Sequence, residues 1–112
     1  MSIRCDDYNG VRVVVVGRDL AGDAVAEAQR LVDESLARRG GHGLVFDLGD
    51  CGFVDSAGLE LLCRTRRRCE GAGARVTLAR VGVGCAKILD VTRLTARFDC
   101  HADLTRAVAA AR

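Results

Sequence analysis

The stretch Asp55-Ser56-Ala57-Gly58, here called the Ser56 segment, holds the residue types best suited to chemistry in this chain. It follows a short apolar run, at a point where a helix is expected to begin. The side-chain oxygen of Asp55 or of Ser56 can therefore accept hydrogen bonds from the free N–H groups of the first helical turn. Gly58 allows that turn to pack closely against a neighbouring backbone. A serine beside the positive end of a helix dipole is also well placed to carry an added phosphate.

Ser56 is a poor candidate for a catalytic nucleophile. The turn that exposes the serine of many hydrolases has the pattern Gly-x-Ser-x-Gly, and Val54 stands at the first glycine position. Only His42 and His101 could serve as the base that activates a serine, and nothing in the sequence places either beside Ser56. We therefore expect a protein that is not an enzyme.

Cysteine is the other reactive residue type, with six in the 112 residues. No two have Cys-x-x-Cys spacing, and their density is below that of a disulfide scaffold. Buried, reduced thiols that pack as small apolar side chains are the expectation, and a redox role for one of them is the alternative. Cys100-His101 does not make a metal site, because no other cysteine or histidine has the spacing of further ligands. We expect no metal and no cofactor.

The composition favours one globular domain over residues 1–112. A chain of this length folds around a single core, and with 49% hydrophobic but only 4% aromatic residues that core must be aliphatic. A net charge of +2 does not favour nucleic acid as a partner. No apolar run is long enough to cross a bilayer, and residues 1–7 include acids where a signal peptide has basic and then apolar residues. We expect a cytoplasmic protein that binds neither nucleic acid nor membrane.

Aliphatic and β-branched runs predict the strands. Val11–Val16, interrupted only by Arg12, is typical of a strand that is covered on both faces. Asn9-Gly10 favours a tight hairpin turn between this strand and an edge strand before it. The predicted strands are residues 3–7, 11–16, 44–48, 76–79 and 96–98.

Apolar residues spaced three and four apart predict helices between these strands. The first helix follows Asp23, a suitable N-cap, and ends at Gly40-Gly41. The second runs from Ser56 to the glycines near residue 71, and the others cover residues 85–92 and 102–111. The first helix is expected to bury a stripe made of Val25, Ala28, Leu31, Val32, Ser35 and Leu36. This alternation predicts an α/β domain with a mixed, mostly parallel sheet of four to five strands flanked by about four helices.

The segment around Ser56 also resembles the motif of a known family. Asp47-Leu48 is followed after four residues by Phe53-Val54-Asp55-Ser56-Ala57-Gly58-Leu59, on a predicted strand, loop and helix. This pattern is similar to that of the STAS family, and particularly of its anti-sigma factor antagonists. The similarity extends over nearly the whole chain and includes residues 13–17, 71–76 and 87–94 and Phe98.

The resemblance implies a switch. In that family the serine directly after the aspartate is the phosphoacceptor, which corresponds to Ser56 here. The implied kinase is the cognate anti-sigma factor. The unmodified antagonist binds this kinase and frees the sigma factor, phosphorylation prevents the binding, and a phosphatase restores it. The alternative is a constitutive STAS adaptor subunit of a lipid-transport or sensory complex.

Two positions depart from the family pattern. The family has Gly-Glu-Leu-Asp after its second strand, where this chain has Gly17-Arg18-Asp19-Leu20, so Asp19 or Asp23 is expected to take the place of that aspartate near Ser56. The family usually has glycine where this chain has Arg93, so either Arg93 is left-handed or the helix is capped differently.

The second helix adds two candidate partner-binding residues. Helical spacing places Leu59 and Cys63 at the edge of its apolar face, near Ser56, where an exposed apolar pair can contact a partner. Glu60 and Arg64 lie four residues apart on the outer face and are expected to form an ion pair. The candidate partner-binding residues are therefore Leu59, Cys63, Asp19 and Asp23.

Overall fold

Five strands form one mixed sheet in the computed structural model, which describes residues 2–38 and 43–112. They lie in the order β1-β2-β3-β4-β5, with β1 antiparallel to β2 and the other neighbours parallel. The strands are β1 (Ile3–Tyr8), β2 (Val11–Val16), β3 (Leu44–Asp47), β4 (Val76–Ala79) and β5 (Asp99–His101). The predicted α/β class and the mostly parallel sheet are confirmed.

Four α-helices accompany the sheet in the described part of the chain. They are α1 (Asp23–Leu36), α2 (Ser56–Gly71), α3 (Val83–Val91) and α4 (Leu104–Ala111), and a 3₁₀ turn covers Thr95–Arg97. The predicted start of α2 at Ser56 is confirmed. Gly40-Gly41, the predicted end of the first helix, lies outside the described residues.

The central strands β2, β3 and β4 are buried on both faces of the sheet, which explains the continuous valine run of β2. Val14 and Val16 face a core that contains Phe46 of β3 and buried side chains of α1, α2 and α3. Val13 and Val15 face the opposite side, where they pack with residues of α4. Both faces of β2 are therefore covered by packed side chains, as the continuous valine run predicts.

The β1–β2 hairpin is closed by the predicted Asn9-Gly10 turn. Both residues have positive φ, 56° for Asn9 and 89° for Gly10. Asp7 Oδ1 accepts a hydrogen bond from the Gly10 amide at 2.9 Å. Left-handed residues at both central positions match the twist of the two strands.

Two local predictions are wrong. Asp23 is the first residue of α1 and not its N-cap, because Gly22, with φ 57°, makes the turn into the helix. Residues 95–97 form the 3₁₀ turn, and the last strand, predicted at 96–98, lies at Asp99–His101. Phe98, the last residue of the predicted strand, is buried but immediately precedes the observed one.

The apolar stripe of α1 is shifted from the predicted one. Ala28, Val32 and Ser35 are buried as expected, together with Ala24. The remaining stripe residues, Val25, Leu31 and Leu36, are half-buried and pack against the edge of the core. The helix therefore lies against the sheet on its smaller side chains.

Helix α3 ends in a left-handed arginine. Arg93 has φ 61°, and its amide donates to Asp90 O at 3.0 Å while the Leu94 amide donates to Leu89 O at 2.8 Å. These two bonds make a Schellman cap, which normally has glycine at this position. Of the two alternatives that the sequence leaves open, the left-handed Arg93 is the one observed. Helix α2 ends in the same cap with Gly73, at φ 77°.

Arg93→Gly should raise the free energy of unfolding by about 0.5–1 kcal/mol. Relief of the left-handed strain exceeds the extra chain entropy that glycine brings to the unfolded state. Gly73→Ala is the matched control and should lower the free energy of unfolding by a similar amount, because a Cβ there meets no neighbour and only the backbone angle matters. Urea melts of both variants measure the change. Destabilisation by Arg93→Gly would contradict this account of the cap.

Candidate functional site

Asp55, and not Ser56, caps helix α2. The Asp55 backbone is extended, and its Oδ1 accepts a hydrogen bond from the Gly58 amide at 2.8 Å. Ser56 is the first helical residue and is exposed. Among the described residues its hydroxyl has no hydrogen-bond partner, so it is available to a reagent or a partner.

The same aspartate joins two loops. Asp55 Oδ2 accepts a hydrogen bond from the Gly22 amide at 3.1 Å, at the start of α1. An isolated parallel β-bridge pairs Leu20 with Val54, the residue before Asp55. The Leu20 amide donates to Phe53 O at 2.9 Å, and the Asp55 amide donates to Leu20 O at 3.2 Å. Three hydrogen bonds, two between backbone groups and one to the Asp55 carboxylate, thus hold the β2–α1 loop (residues 17–22) against residues 53–55.

These amide contacts determine the ionisation of Asp55. The Gly58 amide, and after it the Gly22 amide, hold the pKa of the Asp55 carboxyl below its usual value of 3.8. Hydrogen bonds to the charged form favour that form. Asp55 is therefore an anion at neutral pH and remains one into the acid range.

Asp55→Ala should destabilise the protein in a pH-dependent manner. Because the folded-state pKa is lowered, the carboxylate contributes stability above its unfolded pKa, and this contribution disappears as the pH falls through the folded value. The gap in melting temperature between wild type and variant should be widest at neutral pH and should narrow below about pH 4. Thermal melts from neutral to acid pH measure the gap. A gap that stays constant would show that the charge of Asp55 is irrelevant to the cap.

Helix α3 supports the β3–α2 loop (residues 48–55) from the other side. Cys85 Sγ donates to Cys51 O at 3.0 Å, and the two sulfur atoms lie 3.7 Å apart. Gly84 packs so closely that a Cβ there would lie 2.6 Å from Gly52 O. Burial raises the pKa of the Cys85 thiol to about 12, so this thiol remains protonated. The loop before Ser56 is therefore held between α3 and the β2–α1 loop.

Asp19 and Asp23 occupy different places around this loop. Asp19 Oδ1 accepts a hydrogen bond from the Gly52 amide at 3.1 Å, so its carboxylate contacts the β3–α2 loop directly. Asp23 lies in the first turn of α1, next to Gly22, whose amide contacts Asp55. The structure thus brings the Asp19 carboxylate to the loop before Ser56, whereas Asp23 is linked to the Ser56 segment only through its chain neighbour Gly22.

A family model for the STAS domain matches residues 2–109 of the chain. The chain belongs to the STAS domain family. The resemblance drawn from the Asp-Ser-x-Gly-Leu motif is thereby confirmed.

Solved structures with this fold include anti-sigma factor antagonists. One from Mycobacterium paratuberculosis is 26% identical, with 98% of this chain and 92% of the other covered and a TM-score of 0.82. An anti-sigma factor antagonist (STAS) domain protein from Planctomyces limnophilus is 22% identical, with coverages of 96% and 95% and a TM-score of 0.82. The Bacillus cell fate determinant SpoIIAA in its phosphorylated form is 15% identical, with coverages of 98% and 99% and a TM-score of 0.75. No curated protein matches the chain in the corresponding search.

The remaining predicted site residues of this STAS domain lie on α2. Gly58 is buried, and a Cβ there would collide with Leu20 O and lie 2.8 Å from Val54 Cγ1. Ala57 is exposed beside Ser56. Leu59 and Cys63, expected as an exposed apolar pair, are half-buried against the core.

Sequence reasoning missed Phe53 as a surface residue. Its side chain is 49% exposed although it is a large apolar group three residues before Ser56. Val83, at the start of α3, is 89% exposed. The sequence did contain a signal for this exposure, because Phe53 follows Gly52 in a predicted loop and not in a strand or helix whose inner face could bury it. Phe53 adds apolar surface to the loop before the serine, and Val83 adds it to the helix that supports this loop.

The outer face of α2 is charged, as predicted. Arg64 Nη1 lies 3.3 Å from Glu60 Oε1, which confirms the expected ion pair. Arg64 also donates to Gln29 Oε1 of α1 at 2.6 Å, and Arg68 pairs with Asp33 at 2.6 Å. These pairs join the exposed edges of α1 and α2.

A metal site, a histidine close to Ser56 or a membrane-spanning helix would indicate a different kind of site. Within residues 2–38 and 43–112, no three His, Cys, Asp or Glu side chains are grouped as metal ligands would be. His101 ends β5, two strands away from the β3 strand that leads to Ser56, and His42 lies outside the described residues. No helix in the described part of the chain has the length and apolarity needed to cross a membrane.

Proposed function

We propose that this STAS domain is an anti-sigma factor antagonist that is switched by phosphorylation of Ser56. In its unmodified form it binds a cognate anti-sigma factor, itself a serine kinase, and so frees the sigma factor in the cytoplasm. Phosphorylation of Ser56 by that kinase ends the binding, and a phosphatase restores it. The observation that carries the proposal is an exposed Ser56 hydroxyl, free of hydrogen bonds among the described residues, at the first position of a helix capped by its neighbour.

The different structural roles of Asp55, which caps the helix, and Ser56, which does not, support this function. Because Asp55 caps α2, the serine is not needed to hold the helix and its hydroxyl can be modified. An added phosphate carries a charge of about −1.5 to −2 at neutral pH. At a helix N-terminus this charge is stabilised by the dipole and the free N–H groups, so the fold is expected to persist.

Loss of binding must then arise at the interface with the partner. The loop that leads to Ser56 presents the exposed apolar side chain of Phe53, is contacted by the carboxylate of Asp19 and ends at Asp55. A surface of this kind is suited to a partner that covers it and excludes water. Burying a phosphate dianion there without a matching cation costs several kcal/mol. The modification therefore weakens binding without unfolding the domain.

The solved relatives support the same function. The Mycobacterium paratuberculosis relative is an anti-sigma factor antagonist at 26% identity. SpoIIAA, which shares the fold at lower identity, exists in a phosphorylated form. In this proposal Ser56 is the phosphoacceptor, and the kinase and phosphatase activities belong to other proteins.

The test is reconstitution with the partner. The protein would be co-purified from its native cell, and the bound protein identified, produced alone and incubated with the chain and ATP. We expect the mass of one phosphate to be gained on the peptide that contains Ser56, and no gain in Ser56→Ala. A bound partner without kinase activity, or a phosphate on another residue, would refute the proposed switch.

A further inference from the structure

A cavity of about 550 Å³ opens at the carboxyl ends of β4 and β5, beneath helix α3. Its volume lies within the range of about 300–1,000 Å³ that is usual for small-molecule sites. In sheets of parallel strands, ligands bind at this end of the strands. The cavity is separate from the Ser56 segment, and none of residues 55–58 lines it.

Arg80 supplies the positive charge at one side of this cavity. It follows β4 in a left-handed conformation with φ 55°, which is strained for a residue with a side chain. Its guanidinium donates to Asp47 Oδ1 at 2.9 Å and to Asp47 Oδ2 at 3.0 Å. A guanidinium has five N–H donors, so three remain after these two bonds, and the side chain is nearly half exposed.

His101 lies beside Arg80 with an unsatisfied nitrogen. Its carbonyl accepts from the Arg80 amide at 2.9 Å, which fixes the two residues as neighbours on the cavity wall. Its Nε2 is buried and forms no hydrogen bond among the described residues, although Asp99 Oδ2 lies 3.0 Å away. Buried polar atoms in proteins are nearly always hydrogen-bonded, so this ring nitrogen can still form a hydrogen bond with a ligand group placed beside it.

The rest of the wall is mainly apolar. Val81, Ala86, Leu89 and Ala102 contribute side chains from the β4–α3 loop, from α3 and from the end of β5. The cavity thus has hydrogen-bond donors at one side and an aliphatic surface at the other. A ligand that fits both carries an oxyanion on a short apolar body, since a guanidinium fork matches carboxylate and phosphate oxygens.

We propose that this cavity binds a small organic oxyanion whose acid group meets Arg80 and His101 and whose apolar body lies against α3. The site goes beyond the switch function proposed above and uses none of its residues. Failure of either proposal therefore leaves the other unaffected.

The test is a titration of the ¹⁵N-labelled protein with three probes that share a phenyl body: phenylacetate, phenyl phosphate and the neutral phenylacetamide. We expect the amide signals of Arg80, Val81 and Ala102 to shift with at least one of the two anions. The anion that binds more tightly identifies the acid group. We expect the neutral amide to bind at least tenfold more weakly. Equal binding of phenylacetamide, or no shift at these residues with either anion, would overturn the proposal.

A cavity-filling variant gives an independent readout. Ala86 is exposed on the rim, so Ala86→Phe can fill the space without disturbing the core, and it should reduce anion binding at least tenfold. Ala72→Phe, at an exposed helix end away from the cavity, is the matched control and should bind as the wild type does. The spectrum of each variant reports whether it is folded. Unchanged binding in folded Ala86→Phe would place the probe elsewhere and refute the site.

Discussion

Ser56→Asp is expected to bind the proposed partner, an anti-sigma factor, at least tenfold more weakly than Ser56→Ala does, a difference of about 1.4 kcal/mol. The carboxylate places a fixed negative charge at the position where phosphate would be added. That charge must be desolvated, or must face other acidic groups, when a partner covers the exposed serine. The alanine variant has no such charge and should bind constitutively.

Both variants should remain folded, which is what makes the comparison informative. Asp55 supplies the side-chain cap of α2, so loss of the Ser56 hydroxyl removes no cap and should change the free energy of unfolding by less than about 0.5 kcal/mol. An aspartate at the first helical position is compatible with the helix dipole. Melting curves of the two variants provide the fold control.

Calorimetric titration of each variant against the partner kinase measures the affinities. Equal affinities would mean that charge at residue 56 does not control binding. The domain would then be better interpreted as a constitutive STAS adaptor, and Ser56 as an ordinary first residue of a helix. A loss of binding accompanied by a large drop in melting temperature in Ser56→Asp would instead show that the helix N-terminus does not tolerate the charge.

Elements with strong local patterns could be predicted from the sequence alone. The valine run of β2 is buried on both faces, so its composition reports its position in the sheet directly. Asn9 and Gly10 both adopt positive φ readily, so this pair alone predicts the tight hairpin turn. The start of α2 was predictable for the same reason, because Asp55 caps a helix through contacts three residues away along the chain.

Features that depend on distant contacts could not be predicted in this way. Asp23 has a residue type that suits an N-cap, yet Gly22 makes that turn because its amide is held by Asp55, 33 residues later. The last strand begins after Phe98 because Thr77 and Leu78 of β4 set its register. The cavity with Arg80 and His101 likewise joins residues from two strands that are separate in the sequence.

Gly58→Ala is expected to lower the free energy of unfolding by about 2–3 kcal/mol, although alanine is the better helix former. A Cβ at this position would collide with Leu20 O and crowd Val54 Cγ1 at 2.8 Å. Leu20 O already accepts the Asp55 amide, so it cannot move away without loss of that hydrogen bond. Overpacking against fixed backbone carries a cost of this size.

Gly71→Ala is the matched control, because the same change occurs at the other end of the same helix. No atom lies within 4 Å of a Cβ at Gly71, so this variant should be more stable than the wild type by up to about 1 kcal/mol. Urea melts of the two variants should therefore move in opposite directions. If both variants were stabilised, helix propensity alone would determine the change in the free energy of unfolding. The close approach of Leu20 to Gly58 would then make no contribution to stability. If Gly58→Ala is destabilised as expected, the close packing of the β2–α1 loop on the Ser56 segment contributes to the stability of the fold.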